Sequence, residues 1–157
     1  MNKGKILGRF SIVPLDIYRI QTGKFNTLLN VRLHNGKVLP TVGDDLADPK
    51  GSFMSHMSRL LVDVAWHIRT VHIYELRKGT ILPKNLTLIH ERYEEYSLQA
   101  TTPLTPQELD KTLANFFLKY TKQLTLQDLP SFVQLEQIYN GRIRFRQSQI
   151  NKNESLL

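Results

Sequence analysis

The chain has 157 residues, 41% of them hydrophobic, which is enough for one compact domain with a buried core. Lysines and arginines number 21 against 14 acidic residues, and the net charge of +7 favours anionic partners such as phosphates, nucleic acid or an acidic protein. Because the sequence contains no cysteine, it excludes disulfides, thiolate metal sites and a cysteine nucleophile.

We expect neither a membrane segment nor a signal peptide. The start of the chain, MNKGKILGRFSIVPL, has only scattered apolar residues, and no stretch approaches the length of a membrane span. The sequence therefore predicts no membrane partner. It predicts a cytoplasmic protein, or one that a dedicated machine secretes into the cytoplasm of a target cell.

The first third of the chain is predicted to be rich in β-strands. An apolar and aromatic run over 15–20 follows Pro14 and predicts a strand. The segments TLLNVRL and HNGKVLP meet at Asn35-Gly36, a pair that accepts the positive φ angles of a tight hairpin turn. The Gly, Asp and Pro residues of 41–51 predict a loop.

A helix is predicted over 53–68, because apolar residues recur there at helical spacing. Ser52 stands immediately before this pattern, where a serine caps the first turn of a helix. Capping and a functional role for the Ser52 hydroxyl are both open, since the two roles can coexist.

The second half of the chain is predicted to alternate strands and helices. Runs of apolar and aromatic residues predict strands at 71–76, 86–89 and 95–101. Thr105 and Glu108 form a capping box with Pro106 at the first helical position, which predicts a helix from there to about Tyr120.

The C-terminal part is predicted to be a helix followed by an exposed tail. The helix is expected over 128–139 and to end at Asn140-Gly141. The basic and then polar residues of 141–157 predict the tail. No repeat or low-complexity linker divides the chain, so we predict a single domain over 1–157 with its core at about 12–140.

Charged residues interrupt the apolar pattern in two places. Arg19 lies inside a predicted strand, where a guanidinium is unfavourable unless it reaches an edge, a carboxylate or a bound anion. A structural ion pair and phosphate binding are both open for Arg19. Three acids, Glu91, Glu94 and Glu95, lie between two predicted strands. A solvated turn and a carboxylate that faces a cleft both explain them, and which acid would be functional is open.

The histidines do not indicate a metal site. They form no HExxH motif and no pair at i, i+4, which are the arrangements that zinc sites use. The positions concerned are His34, His56, His67, His72 and His90. We therefore predict a protein without a bound metal.

Four stretches of the sequence share their pattern with one known family. LDIYRI at 15–20 is followed by KGSF at 50–53, by GTILPKNL at 79–86 and by EYSLQATTPLTPQELDKTLANF at 95–116. Together they resemble the type VI secretion exported-effector toxins that have an ADP-ribosyltransferase-like fold. That family shows a Leu-x-Leu-Tyr-Arg strand, a Gly-x-Ser motif, a Gly-Thr-x-[Ile/Leu]-Pro-x-x-Leu turn and a His-Tyr-[Ser/Thr]-[Ile/Leu] strand leading into a helix.

The resemblance implies a fold and an activity. The fold is α+β, with two small, mostly antiparallel sheets that form a cleft and helices that surround them. The activity is that of a toxin acting inside cells, which uses NAD to transfer ADP-ribose to a protein or nucleic-acid acceptor, or which hydrolyses NAD. A cognate acidic immunity protein or antitoxin is the partner that the resemblance implies.

The resemblance also implies that Arg19, Ser52 and Glu95 are the catalytic residues. Arg19 matches the first-strand arginine, which would grip the diphosphate of NAD through a forked, charge-assisted pair. Ser52 matches the middle-motif serine, which would support the nicotinamide pocket, and Ser55 is an alternative to it. Glu95 stands where the family has histidine, and a carboxylate there would stabilise the positive charge that develops as nicotinamide leaves.

The NAD-binding set implied by the resemblance overlaps the catalytic one. Tyr18 matches the family's tyrosine, whose ring would stack on nicotinamide. Tyr96 and Ser97 lie on the strand that matches the family's last motif. The implied NAD-binding residues are Tyr18, Arg19, Ser52, Tyr96 and Ser97.

Two functions of other kinds stay open. A metal-independent ribonuclease toxin would activate a ribose hydroxyl by acid–base chemistry with His90, Arg92, Tyr93 and Glu95. A noncatalytic RNA-binding or adaptor domain would need only the positive charge of the chain.

Overall fold

The computed structural model of the chain describes residues 4–22, 33–45, 52–57, 59–67, 71–141 and 144. The strands in these ranges are β1 (Gly8–Phe10), β2 (Ile17–Thr22), β3 (Leu33–His34), β4 (Lys37–Val38), β5 (Ser52–Ser55), β6 (Val71–Leu76), β7 (Leu86–Arg92), β8 (Glu95–Ala100) and β9 (Lys122–Leu124). The helices are α1 (Arg59–His67), α2 (Pro106–Tyr120) and α3 (132–141), and a 3-10 helix (Leu126–Asp128) precedes α3. No helix among the described residues has both the length and the apolar character needed to cross a membrane.

Seven of these strands form one antiparallel sheet in the order β1-β7-β8-β5-β2-β6-β9, and β3 pairs with β4 as a separate hairpin. The pairing of neighbouring strands in the large sheet is shortest between β2 and β5, and we call this place the seam. There β2 and β5 share a single register pair, Tyr18 with Ser55, whereas β2 and β6 pair along the whole of 17–22. The predicted α+β class is confirmed, but in place of two small sheets the structure has one large antiparallel sheet and the β3–β4 hairpin, because the pairing at the seam joins β2 to β5.

Each face of the sheet carries its own hydrophobic cluster. On one face, Ile17 and Leu98 pack with Phe117 of α2, and we call it the α2 face. On the other, Tyr18 and Ile73 pack with residues of α1 and α3, and we call it the α1 face. Because successive side chains of a strand point to opposite faces, the neighbours Ile17 and Tyr18 belong to different clusters.

Several predicted elements are confirmed. The runs at 71–76, 86–89 and 95–101 form β6, β7 and β8. Thr105 and Glu108 make the reciprocal hydrogen bonds of a capping box at the start of α2, each 3.2 Å long. The hairpin turn is also present, with φ angles of 50° at Asn35 and 76° at Gly36.

The predicted helix over 53–68 is wrong at its start. Ser52–Ser55 is a strand, β5, and α1 begins only at Arg59. Phe53, Met54 and Met57 fit a helical spacing, but the pairing of β5 with β8 selects the extended conformation. Ser52 therefore begins a strand and does not cap a helix, and position 68 lies outside the described residues.

The ends of the sheet and the last helix also differ from prediction. The edge strands β1 and β9 were not predicted, because each has only three residues and is formed by pairing with a longer neighbour. The last helix is described over 132–141 and not 128–139, so it continues through Asn140-Gly141, and residue 144 of the predicted tail is helical as well. Most of the predicted tail lies outside the described residues.

Candidate active site

A row of four paired residues crosses the seam on the α1 face. The register of the strands aligns Glu75 with Tyr18, Tyr18 with Ser55, and Ser55 with Glu95. Directly paired residues of antiparallel strands point to the same face, so the four side chains share it. The row brings a phenol, a hydroxyl and carboxylates from four different strands to one place.

This row borders a cleft of about 370 Å³. Small-molecule sites commonly have volumes of about 300–1,000 Å³, so the cleft is large enough for part of a ligand. Strand alternation directs Tyr18, Ile20, Phe53 and Ser55 towards the α1 face with Glu95. The described lining consists of Tyr18, Arg19, Ile20, Phe53, Met54, Ser55 and Glu95.

Tyr18 is held at the cleft by a chain of polar contacts. Its hydroxyl donates to Oε2 of Glu75 at 3.1 Å, and Oε1 of Glu75 accepts from Nε of Arg77 at 2.9 Å. The ring itself is buried in the hydrophobic cluster of the α1 face. Carboxylate and cluster together fix the orientation of the Tyr18 ring.

Glu95 begins β8 and is open to solvent. Its side chain is 56% exposed, and Oε2 lies 3.6 Å from Nε of Arg92. That distance is too long for a strong hydrogen bond, so Arg92 does not lock the carboxylate. The position of Glu95 depends on the turn before it, where Tyr93 takes the unusual φ of 45° and a β-bulge lies between His90 and Arg92.

Arg19 and Ser52 meet on the opposite, α2 face. The guanidinium of Arg19 is only 5% exposed; Nη1 donates to Oγ of Ser52, and Nη2 donates to Oε1 of Gln21 at 2.9 Å. The guanidinium carbon lies 5.9 Å from the centre of the Phe117 ring. We call Arg19, Gln21 and Ser52 the Arg19 clamp. The hydrogen bond from Arg19 to Ser52 ties β2 to β5, two strands that share only one backbone register pair among the described residues.

The electrostatics of Arg19 follow from its burial. Desolvation lowers the pKa of the guanidinium, while the nearby Tyr74 and Asp110 act in the opposite direction. Arginine side chains are not deprotonated in proteins, so Arg19 keeps its charge. The clamp therefore places a cation beneath α2, where its hydrogen bonds to Ser52 and Gln21 offset the loss of water.

The structure separates the residues that the sequence grouped together. Arg19 and Ser52 are in contact, but Glu95 lies on the other face of the sheet with Tyr18 and with Ser55, the alternative serine. The cleft thus contains Ser55 and not the Ser52 hydroxyl. The functional roles of all these residues stay predictions.

Tyr96 and Ser97 do not belong to the described lining of the cleft. Tyr96 is buried on the α2 face and stacks on His90, with ring centres 4.2 Å apart and planes at 8°. Ser97 is fully buried, and its Oγ accepts from Nε2 of Gln99 at 3.2 Å. Both residues hold β8 in place, and the implied contact with NAD stays a prediction for them.

The residues of the ribonuclease alternative do not converge. His90 pairs with Tyr96 on the α2 face, and its Nε2 lies 2.6 Å from the carbonyl oxygen of Tyr93. Arg92 pairs with Glu95, which is on the α1 face. His90 and Glu95 therefore lie on opposite faces of the sheet, which does not favour joint action on one ribose hydroxyl. Among the described residues, no group of three or more His, Asp or Glu side chains could hold a metal ion.

Sequence reasoning missed Glu75 and Arg77. Glu75 contacts Tyr18 across 57 positions of the chain, a pairing that one sequence does not disclose. One signal was available, because alternation along VHIYEL puts Glu75 on the same face as the apolar Ile73. An acid on the apolar face of a strand indicates a polar partner.

Glu91 is the acid of the β7–β8 turn that differs most in burial. It is the extra residue of the β-bulge and is only 3% exposed, whereas Glu95 is exposed. Burial raises the pKa of Glu91; Arg92 opposes this effect and Glu95 adds to it. A buried carboxyl that prefers its proton suits a structural position better than a charged functional one.

We expect Glu91→Gln to stabilise the protein increasingly as the pH rises from 4 to 7. The folded state keeps the Glu91 proton to higher pH than the unfolded chain does, so the folded state binds more protons and the wild type loses stability as pH rises. Denaturant unfolding of both proteins at several pH values measures the difference. Glu94→Gln is the control, and an equal pH profile for wild type and Glu91→Gln would contradict the assignment.

Comparison with known protein families gives a match over most of the chain. A family model described as Tse2 ADP-ribosyltransferase toxin matches residues 9–129, which is well over half of the chain. The matched segment includes every described residue that lines the cleft and ends before α3. No curated protein and no solved structure matches the chain. The match confirms the resemblance found in the motifs over 15–116.

Proposed function

The chain belongs to the Tse2 ADP-ribosyltransferase toxin family, and from that premise we propose that it takes NAD as its substrate and transfers ADP-ribose to a macromolecular acceptor at the seam. One observation carries the proposal. Tyr18, Ser55 and Glu95 occupy directly paired positions on three neighbouring strands and border one cleft. An aromatic ring, a hydroxyl and a carboxylate are the groups that a nicotinamide riboside requires.

The lining of the cleft fits the nicotinamide end of NAD. Ile20 and Phe53 supply apolar walls, and the fixed ring of Tyr18 offers a surface for stacking. The hydroxyl of Ser55 can hydrogen-bond a ribose or carboxamide group. Among the described lining residues, Glu95 is the sole carboxylate.

Glu95 has the role of electrostatic stabiliser in this proposal. When NAD is bound, loss of nicotinamide leaves positive charge on the ribose. A carboxylate next to that charge stabilises it, as in glycoside cleavage. The side chain of Glu95 is exposed and only loosely paired with Arg92, so it can turn towards the cleft.

The α2 face has a supporting role. The Arg19 clamp holds β2 and β5 together from behind, so it fixes the spacing between Tyr18 and Ser55. On the same face, Tyr96 stacks on His90 and sets the position of β8, and with it the position of Glu95. This division leaves the chemistry to the α1 face and the alignment to the α2 face.

Partners and delivery follow from the toxin assignment. A cell that makes an ADP-ribosylating toxin needs an immunity protein or antitoxin, and the net charge of +7 favours an acidic one. We further propose that a dedicated secretion machine delivers the toxin into the cytoplasm of a target cell. The acceptor of ADP-ribose is a protein or a nucleic acid.

Incubation of the purified protein with NAD labelled in its adenylate part, in the presence of cell lysate, tests the proposal. We expect release of nicotinamide and transfer of label to material that either protease or nuclease removes. Release of nicotinamide without transfer would indicate NAD hydrolysis. RNA cleavage without NAD would support the ribonuclease instead, and salt-sensitive RNA binding without either reaction would support a binding domain.

A further inference from the structure

A second concavity adjoins the cleft on the α1 face. It has a volume of about 530 Å³ and runs from β2 and β6 past β9 to the side of α3, and we call it the groove. Tyr18 lines both the cleft and the groove, so the two are neighbouring parts of one surface. A ligand longer than the cleft can therefore continue past Tyr18 into the groove.

The acidic residues of the groove already have donors within the protein. Asp16 accepts from the backbone N–H of Lys78 at 2.9 Å. Asp128 accepts from the backbone N–H of Thr125 at 2.9 Å and from its hydroxyl at 3.0 Å. Glu75 accepts from Tyr18 and Arg77. These contacts offset part of the negative charge that the three carboxylates give the groove.

The two cationic residues of the groove, Arg77 and Lys122, are exposed to solvent. Arg77 uses Nε to contact Glu75, and its side chain is 66% exposed, so the guanidinium is accessible to a ligand. Lys122 pairs with Glu75 across β6 and β9, which places the exposed ammonium on the same face. Glu75 thus holds a guanidinium in a fixed orientation at the groove, with a second cation on its other side.

We propose that Arg77, oriented by Glu75 and assisted by Lys122, forms a phosphate-binding site that takes the diphosphate of NAD. This inference rests on the proposed function and names how the substrate is held. A guanidinium fork matches two phosphate oxygens, and its orientation by a carboxylate reduces the entropy lost on binding. Arg19, to which the resemblance assigns this contact, has its guanidinium buried on the opposite face.

The geometry gives a direct path from cleft to phosphate site. Two hydrogen bonds connect the Tyr18 hydroxyl to Glu75 and Glu75 to Arg77. A dinucleotide with its nicotinamide end against Tyr18 can therefore extend its diphosphate over Glu75 to the guanidinium. The wall beyond includes Gln134 and Ile138 of α3, which lies outside the family-matched segment.

Steady-state NAD consumption by Arg77→Gln tests the site. We expect the KM for NAD to rise about 10-fold or more with little change in kcat, because a charge-assisted contact to the bound substrate is lost. The KM of Arg77→Lys should lie between the KM of wild type and that of Arg77→Gln, since lysine keeps the charge without the planar fork. Lys111→Gln removes an equal charge from the exposed side of α2 and should leave KM unchanged.

Calorimetric titration with inorganic pyrophosphate gives a readout that does not need turnover. We expect wild type to bind pyrophosphate at least 10-fold more tightly than Arg77→Gln, and ADP-ribose to compete. Equal KM and equal pyrophosphate affinity in an active Arg77→Gln variant would overturn the inference and leave the proposed function intact. Competition by a short oligonucleotide but not by ADP-ribose would overturn the assignment to NAD.

The two proposals can fail separately. A wild-type protein that binds pyrophosphate through Arg77 but consumes no NAD would overturn the proposed function, while the phosphate site would stand. A protein that consumes NAD with normal KM after loss of Arg77 would do the reverse.

Discussion

Glu95→Gln is expected to lower ADP-ribose transfer about 100-fold to 1,000-fold, which is the effect of removing one preorganised electrostatic group from an active site. The substitution keeps the size of the side chain and removes its charge. Because Glu95 is exposed and its contact with Arg92 is long, we expect the free energy of unfolding to change by no more than about 1 kcal/mol. Loss of activity without loss of stability is the signature of a group that acts on the reacting charge.

The measurement is single-turnover transfer at saturating NAD, combined with denaturant unfolding. Glu94→Gln is the matched control in the same turn, and it should stay near wild type in both assays. Glu91→Gln should also transfer normally, although its stability changes with pH as described above. If all three glutamine variants transfer ADP-ribose at the wild-type rate, the protein uses no carboxylate of this turn.

Arg19→Ala is expected to lower the free energy of unfolding by about 2–4 kcal/mol, because it removes charge-assisted hydrogen bonds and leaves buried acceptors without their donor. The acceptors concerned are Oγ of Ser52 and Oε1 of Gln21. Arg19→Lys should recover little of the loss, since an ammonium cannot reproduce the planar fork. Transfer activity should fall with stability, because the clamp sets the spacing of Tyr18 and Ser55.

Denaturant unfolding of Arg19→Ala, Arg19→Lys and Ser52→Ala checks this expectation, and Lys111→Ala is the control. Lys111 is exposed on α2, so its variant should remain within about 0.5 kcal/mol of wild type. A different result would be equally informative. If Arg19→Ala keeps full stability but loses transfer, the guanidinium contacts NAD directly, as the family resemblance implies, and the clamp is not its main role.

The elements that could be predicted from the sequence are those whose signals are local. The turn at Asn35-Gly36 and the capping box at Thr105 each depend on a few adjacent residues, and both are present. The strand β5 could not be predicted, because Met54 and Met57 are three residues apart, a spacing that is typical of a helix. Its conformation is decided by pairing with β8, far along the chain.

In the candidate site, too, local features could be predicted and features that depend on long-range strand pairing could not. Arg19 could be singled out because a charged residue inside an apolar strand is unusual, and the family resemblance singled out Tyr18 and Glu95. Which of them face the cleft could not be predicted, since this depends on the single pair that joins Tyr18 to Ser55. A shift of that pairing by one residue would have placed Arg19 beside Glu95. The contact of Glu75 with Tyr18, and that of Arg77 with Glu75, could not be predicted either, although the place of Glu75 on the apolar face of its strand indicated a polar partner.

The division of the core between two faces of β2 limits how the length of this protein can change. Ile17 and Arg19 belong to one face, and Tyr18 belongs to the other. Inserting or deleting one residue within β2 would exchange the faces of every position after it. The phenol would then enter the cluster beneath α2, and the guanidinium would leave its acceptors. The spacing from Ile17 to Gln21 is therefore fixed by both faces at once.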